Sequence, residues 1–525
     1  MQKANIQIMD ILLLIYTIIV GFYFFLSPQR EAILFEPAKW IAFLLCYIIV
    51  RKSVQKQWCL WGILFGGVAE AIIAICQKIH WVDSFHSTFD VTGTFGNPGP
   101  LGGCLAVAIT VTVGLYIEYR KHSRLRWALL LSLLLLSITI VFTESRAGWL
   151  ATFAGIASFY FFRKKQQRFS FNVFQKIGIV VTVLSFIISI YYYKKDSADG
   201  RLLIWRVSAE MIVDAPLAGH GIGAFERKYM YYQGRYFNSH PDSQYSILAD
   251  NIAYPYNEFL CIWIEQGIIG IILVVGIIIS VFKYVSYHGY SKIYLGGFVS
   301  LLTFSMFSYP SQVLLLWLLA PILLGGMLFK KNVMHLSIGP NFRLIGYILG
   351  IACLALVAQN GYGYYSLRKK VKSMNTASSQ EKIEAEVYLE RHLAKLQSVP
   401  RLFNIYAQYY YQNTLPFESV HILEKAVTII PSCELYCDLG DVYKELNQKN
   451  KAIASYLLAS DMLPNRLLPK YKLFCLYREE GDTIQMRKIG FEALGIDVKV
   501  ISTKTLRMKG EIKRTLGYSM RDRSG

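Results

Sequence analysis

Apolar residues along this chain come in long runs, and the polar residues between the runs are patterned too. Roughly 20 mostly apolar residues span a bilayer's hydrocarbon core as a helix, and about eleven such runs occur here. They lie near 6–27, 38–50, 59–77, 95–118, 125–143, 146–162, 174–193, 255–282, 294–309, 311–329 and 343–360. Closed barrels would show weak alternating segments instead, so the pattern predicts an all-α, polytopic membrane helix bundle. Lys3 precedes the first run, but no small-residue cleavage site follows "GFYFFLSPQR", so that run is expected to stay as a helix.

Basic residues cluster in alternate loops: Arg51, Lys52 and Lys56; Arg120, Lys121, Arg124 and Arg126; Arg163, Lys164, Lys165 and Arg168; Lys330, Lys331 and Arg343. The positive-inside rule puts these loops and the N-terminus in the cytoplasm. Loop 194–254 then faces outward, and about eleven spans leave the C-terminal region outside as well. The run "SLRKKVK" (366–372) goes against the rule, with four basic residues just past the last span.

Two regions stand apart from the spans. Within the outer loop, "GRLLIWRVSAEMIVDAPLAGHGIGAF" (200–225) reads as a helix stopped by Asp214 and Pro216, then turned by the Gly219–Gly223 cluster. Loops of this length inside compact proteins usually bind or cover a substrate. From about 375 to 525 the pattern becomes repetitive. "YAQYY" (406–410) recurs as "LGDVY" (439–443) and "LFCLY" (473–477), at offsets of 33 and 34, and "IIPS" (429–432) recurs as "MLPN" (462–465). A period near 34 with a closing proline is the tetratricopeptide signature, and such arrays brace a protein or bind a partner. The expected organisation is a membrane domain over 1–365 and a tetratricopeptide-like domain over 375–525.

Composition agrees with the spans: 54% of residues are hydrophobic and 17% charged, against about 25% charged in soluble domains. The net charge of +20 would suit nucleic acid, but its placement between spans assigns it to topology. Six of the nine cysteines (Cys46, Cys59, Cys76, Cys104, Cys261 and Cys353) fall inside spans, as core packing does. Zinc spacings, a P-loop, a dinucleotide fingerprint and a nucleophile elbow do not occur, so the expected chemistry uses no metal and no cofactor.

Polar groups at the mouths of membrane helices are costly and tend to mark function. "TGTFGNPGPLGG" (92–103) opens the fourth span, where Asn97 reads chiefly as a helix cap ahead of Pro98. "TESRAGWL" (143–150) joins two spans with hardly any loop and pins Arg146 at the outer edge, against the positive-inside bias. A guanidinium there can grip a phosphate with two parallel hydrogen bonds, and adjacent helix N-termini add partial positive charge. Arg201 and Arg206 flank "LLIW"; five residues apart on one helix, they point about 140° apart, so only one faces a common site. Arg201, taken as lying at the helix start, is the choice. In "AYPYNEFLCIWIEQGIIG" (253–270), Glu258 and Glu265 share a helix face. Asn257 and Glu258 sit at the mouth, while Glu265 reads as structural. Glu70, inside the third span, is a further candidate, as a buried partner for an arginine or equally as an unrelated structural group.

The ordered set "GTFGNPGPLGG", "SRAGWLA", "GRLLIWRVSAEMIVDAPLAGHGIGAF" and "YNEFLCIWIEQGIIG" resembles the O-antigen ligase and polymerase superfamily over roughly residues 90–275. The resemblance implies an inverting, metal-independent membrane glycosyltransferase of a bacterial inner membrane. It would take a glycan from an undecaprenyl-diphosphate carrier and pass it to lipid A–core, a growing glycan or a protein. It also implies that Arg146 and Arg201, with Arg206 beside them, bind the donor diphosphate. Many relatives carry His-Asn where this chain has Tyr256-Asn257. A phenol, with an ordinary pKa of about 10, is a poor base, so either Glu258, His220 or His240 is the candidate on the acceptor side, or substrate positioning alone suffices and no strong base is required. Other readings are an O-antigen polymerase, differing only in acceptor; a small-anion transporter, for which the paired broken helices of two related halves are not evident; and a non-catalytic assembly protein whose repeats hold a partner.

Overall fold

The computed structural model describes residues 2–26, 36–53, 55–163, 189, 191–330, 334–338, 359, 362–374, 379–397, 399–499 and 501–517. The expected spans 174–193 and 343–360 lie almost wholly outside the described residues. The chain divides into two compact units. The first comprises Met1–Tyr23, Glu36–Tyr193 and Pro255–Ala358; the second comprises Phe24–Phe35, Lys194–Tyr254 and Gln359–Gly525.

The helices belonging to the first unit are α1 (Ile8–Leu26), α2 (Glu36–Lys52), α3 (Gln57–Lys78), α4 (Pro98–Glu118), α5 (Ser123–Phe142) and α6 (Arg146–Arg163). After the segment that belongs to the second unit, where α7 (Lys195–Asp214) and α8 (Ala224–Ser239) lie, come α9 (Glu258–Tyr284), α10 (Ser291–Ser305) and α11 (Leu314–Gly326). Among the described residues, five of these (α1, α3, α4, α5 and α9) are long and apolar enough to cross a membrane. The runs expected at 38–50, 294–309 and 311–329 form helices of 17, 15 and 13 residues.

Small residues set the packing of this bundle, as expected where lipid supplies no hydrophobic drive between helices. α4 is the most enclosed of the five long helices. A Cβ on Gly148 would lie 2.8 Å from the Gly102 carbonyl oxygen, so α6 meets α4 backbone to backbone. Two turns on, Gly155 lies against Thr110 and Ser300. α10 runs antiparallel to α4: Gly103 faces the Phe304 ring and Gly114 faces Ile293.

The far ends of these helices gather polar groups. Tyr119 and Tyr290 share a hydrogen bond of 2.8 Å, Tyr290 donates to Gln57, and Tyr294 donates to the Lys56 carbonyl at 2.5 Å. Lys56 reaches the Gly325 carbonyl at 3.4 Å, and Arg51 pairs with Asp10 at 3.0 Å. Loops expected on one membrane face therefore meet at one end of the unit. The helix expectation omitted one feature. Strand β1 (Gln2–Ile6) pairs antiparallel with β2 (Met334–Ile338), from Gln2 opposite Ile338 to Ile6 opposite Met334.

In the second unit, a helical stretch at 362–374 leads to α12 (Ser379–Arg391) and α13 (Leu393–Gln397). Three helix pairs follow: α14 (Pro400–Asn413) with α15 (Pro416–Ile429), α16 (Cys433–Glu445) with α17 (Lys449–Met462), and α18 (Leu467–Glu479) with α19 (Thr483–Leu494); α20 (Thr503–Thr515) ends the array. The leading helices begin 33 and 34 residues apart (400, 433, 467), the offsets read from the sequence. The reason is burial. Tyr406 and Ala407, Leu439, and Leu473 and Phe474 are the interior positions of the three leading helices. Gly440 admits the Tyr456 ring, which would lie 2.4 Å from an added Cβ.

The helix crossing yields a direct test. Gly148→Ala is expected to destabilise the purified chain by about 1–3 kcal/mol through overpacking. Gly62→Ala, where a Cβ meets nothing within 4 Å, is expected to leave the melting temperature in detergent unchanged or slightly raised.

Candidate functional site

Three helix starts carry the expected residues of the first unit. The chain entering α4 is clasped by two α3 side chains seven residues apart, on one face. Gln77 accepts from the backbone N–H groups of Thr92 (2.9 Å) and Gly93 (2.8 Å) and donates to the Gly93 carbonyl (3.1 Å). Glu70 accepts from the Thr94 N–H (2.9 Å) and hydroxyl (2.5 Å). Its buried carboxylate thus shapes the loop, in place of the arginine partner considered above. Gly93 has φ +55°, and an added Cβ would lie 2.4 Å from Glu70 Oε2, so this turn requires glycine. Asn97 caps α4, its side-chain oxygen 2.8 Å from the Gly99 N–H, with Pro98 in the first position.

At α6 the chain turns through Glu144, at φ +49°. Ser145 Oγ accepts from the Gly148 N–H at 3.2 Å and donates to the Gly99 carbonyl at 3.5 Å, which ties the starts of α6 and α4 together. Arg146 is the first residue of α6 and is buried, 9% exposed. The burial matters. A guanidinium there keeps its charge in a setting of low dielectric, beside the positive ends of two helices.

Tyr256, at φ +52°, precedes α9. Its ring stands edge-on to Tyr309 at 5.3 Å. Asn257 caps the helix through the N–H groups of Phe259 (2.9 Å) and Leu260 (3.2 Å). Glu258 accepts from the Ser311 N–H at 2.8 Å, and Glu36 and Lys39 of α2, themselves paired at 3.2 Å, lie within electrostatic reach of it. Because Phe304 of α10 packs on Gly103, one residue from the Gly102–Ser145 contact, the 309–311 turn belongs to the same end of the unit as Arg146. Glu265 is half-buried, and two residues later the helix breaks at Gly267 (φ 64°, ψ −161°). Gln266 beside the break donates to Tyr16 at 3.1 Å and accepts from Tyr23 through its carbonyl at 3.1 Å.

Left-handed backbone at residues other than glycine costs of order 1–3 kcal/mol and often collects at functional sites. Glu144 and Tyr256 stand two residues before Arg146 and Glu258.

The remaining candidates lie in the second unit. α7 begins at Lys195, so Arg201 sits well inside the helix and not at its start, a correction to the sequence reading. Gly200, where a Cβ would meet nothing, does not interrupt the helix. Arg201 is half-buried. Arg206 is exposed; it donates to the Tyr236 hydroxyl at 3.4 Å, and its guanidinium lies 5.7 Å from the Tyr245 ring centre. α7 does end at Asp214, and Gly219, Gly221 and Gly223 all take positive φ to turn the chain into α8. Asp214 accepts from the Tyr232 hydroxyl and from Arg235, which hold its carboxyl below the usual range.

Both ring nitrogens of His220 are engaged, Nε2 with the Met211 carbonyl (2.8 Å) and Nδ1 with Lys228 (3.1 Å). Burial lowers its pKa below the ordinary 6.5. His240 stacks on Tyr236 at 4.7 Å and engages the Tyr236 carbonyl through Nδ1 at 3.0 Å. A residue absent from the sequence reading is Glu226, whose carboxyl is pushed up by burial against the opposing pull of Arg401 and Arg227. Charge in the first turn of α8 was its only local signal. Among the described residues, no group of three or more His, Cys, Asp or Glu side chains is placed to hold a metal ion.

The family model described as O-antigen ligase matches residues 131–275, which include most of α5, then α6, α7, α8 and the larger part of α9. No curated protein and no solved structure matches the chain. That match, over residues 131–275, supports a relation to the O-antigen ligase superfamily.

His220 yields a pH test. Its folded-state pKa is lowered, so the unfolded state binds more protons and stability falls as pH drops through 6.5. Hydrogen-exchange protection over residues 211–232, corrected for intrinsic rates, should decline between pH 7 and 5, and the decline should flatten in His220→Gln.

Proposed function

We propose that this chain is a glycan ligase of a bacterial inner membrane, acting at the outer face on an undecaprenyl-diphosphate-linked glycan. The reading rests on one observation above others. Within the segment matching the O-antigen ligase family, Arg146 is a buried cation in the first turn of α6.

The chemistry follows from an activated leaving group. An acceptor hydroxyl attacks the anomeric carbon, the bond from that carbon to the diphosphate oxygen breaks, and configuration inverts. The electron pair leaves with the polyprenyl diphosphate, and the hydroxyl proton passes to a base. Negative charge grows on the departing diphosphate, where preorganised cations in a dry site act most strongly. Arg146 and Arg201 fill that role, with Arg206 as an accessory donor contact. This division of labour requires neither a metal nor a nucleotide.

On the acceptor side, Glu258 is the preferred base, with Asn257 and Tyr256 fixing the mouth of its helix. Proton acceptance by His220 would cost the hydrogen bond its Nδ1 accepts from Lys228 and set two cations side by side, so it ranks below Glu258. His240 stays a candidate for orienting the acceptor. The acceptor itself is a lipid A–core, a glycan or a protein. The C-terminal helix pairs, read as tetratricopeptide-like and periplasmic, favour a bulky acceptor.

Arg146→Ala and Arg201→Ala are each expected to lower transfer about 10²–10³-fold while membrane localisation persists. Lysine at 146 should recover part of the rate, because it restores charge but not the bidentate fork. Transfer from a purified undecaprenyl-diphosphate glycan, followed on gels, is the measurement. Full activity in both alanine variants would refute the assignment, and loss of surface glycan or glycoprotein in cells lacking the chain would identify the acceptor class.

A further inference from the structure

The second unit contains both the loop that carries Arg201 and Arg206 and the C-terminal helix pairs, and it joins them by a set of buried polar contacts. Those contacts fall at or beside the turns that repeat in the sequence. Gln233 of α8, fully buried, donates to the Met462 carbonyl at 2.8 Å and to the Asp250 carbonyl at 3.2 Å. Tyr231, two residues earlier, donates to the Val427 carbonyl at 3.0 Å and shares a hydrogen bond of 2.7 Å with Tyr436. Asn465, 3% exposed and the last residue of "MLPN", donates to the carbonyls of Ile247 and Ala249, each at 2.9 Å. Asn251 reaches back to Glu434 and to the Cys433 N–H. Gly234 completes the seat. A Cβ there would lie 3.5 Å from the Met462 backbone nitrogen and 3.6 Å from its Cγ, ordinary contact distances.

We infer that the C-terminal helix pairs are an internal cradle for the donor-binding loop, and that Gln233, Tyr231 and Asn465 are positioning residues for the transfer reaction. The link to the chemistry runs through α8. Tyr236, 3% exposed, lies one turn beyond the docked residues, and its hydroxyl accepts from Arg206. Arg206 stands on α7, five residues from Arg201. Docking α8 on the 427–436 and 462–465 turns therefore fixes the helix that Arg206 is tied to. The role assigned to Arg201 and Arg206 rests on the function proposed above; the docking itself does not. One consequence is that the edge formed by these turns is filled by the chain's own helix and is unavailable to a separate partner protein.

The test uses the full-length chain with Gly234→Cys and Met462→Cys introduced together. Disulfide formation needs Cβ atoms about 3.5–4.5 Å apart, and each single cysteine variant controls for the native thiols. The cross-link is expected to form readily under mild oxidation and to leave glycan transfer intact. Gln233→Glu removes both donated hydrogen bonds and sets a carboxylate against two carbonyls; transfer is expected to fall at least tenfold. Adding the disulfide to that variant should restore transfer under oxidation, and reduction should abolish it again, a reversal that a general folding defect would not show. Tyr231→Phe and Asn465→Ala supply milder variants should Gln233→Glu fail to fold. Absence of the cross-link, a cross-linked protein that no longer transfers glycan, or full activity in all three docking variants would each overturn the inference. Full activity in Arg146→Ala and Arg201→Ala, with cross-linking intact, would instead sink the proposed function and leave the docking standing.

Discussion

A contact between two glycines sets Arg146 in place. Gly102 and Gly148 let α4 and α6 touch through their backbones, and that approach brings Ser145 within reach of the Gly99 carbonyl. With its hydroxyl also capping α6, Ser145 fixes where the helix begins. Arg146 is the next residue, so its depth is decided by the crossing and not by its own side chain. A larger residue at either glycine would push the helices apart and lift the guanidinium toward water, where a cation is far less effective against a growing anion.

The first unit repeats one local solution. Each of its three polar mouths is a helix start with a side-chain cap: Asn97, Ser145 and Asn257. Capping satisfies N–H groups that lipid cannot, and it leaves the positive end of each helix turned toward the same end of the bundle. Glu258 then accepts a backbone N–H from the 309–311 turn, a neutral partner. The second unit solves a different problem. Hydrogen bonds at or beside its repeated turns, donated to backbone carbonyls by the amides of Gln233 and Asn465 and the phenol of Tyr231, hold its long loop in register.

What could be read from the sequence follows from how local each signal is. The helix starts at Arg146 and Glu258 were legible because short capped motifs stand directly before apolar runs. The 33- and 34-residue offsets were legible because Tyr406, Leu439 and Leu473 are interior positions that evolution cannot make polar without cost. The break at Gly267 was not, since the groups bonded beside it, Tyr16 and Tyr23, stand 250 and 243 residues from Gln266 in the chain. Helix α7 begins five residues before the expected start because Gly200 lies in open space, where a helix tolerates it. Gln233 and Asn465 look like surface residues in sequence. Only the fold reveals that each faces two carbonyls.

The short sheet bears on how the chain is assembled. Strand β1 is made more than 300 residues before its partner, which ends at Ile338, so α1 is complete long before the strand pairing can tether its leading edge. The same delay applies to Asp10 only until Arg51 appears. The ion pair is therefore an early latch and the strand pairing a late one. The pairing therefore closes residues 2–6 onto residues 334–338 only after α1 to α11 have been made.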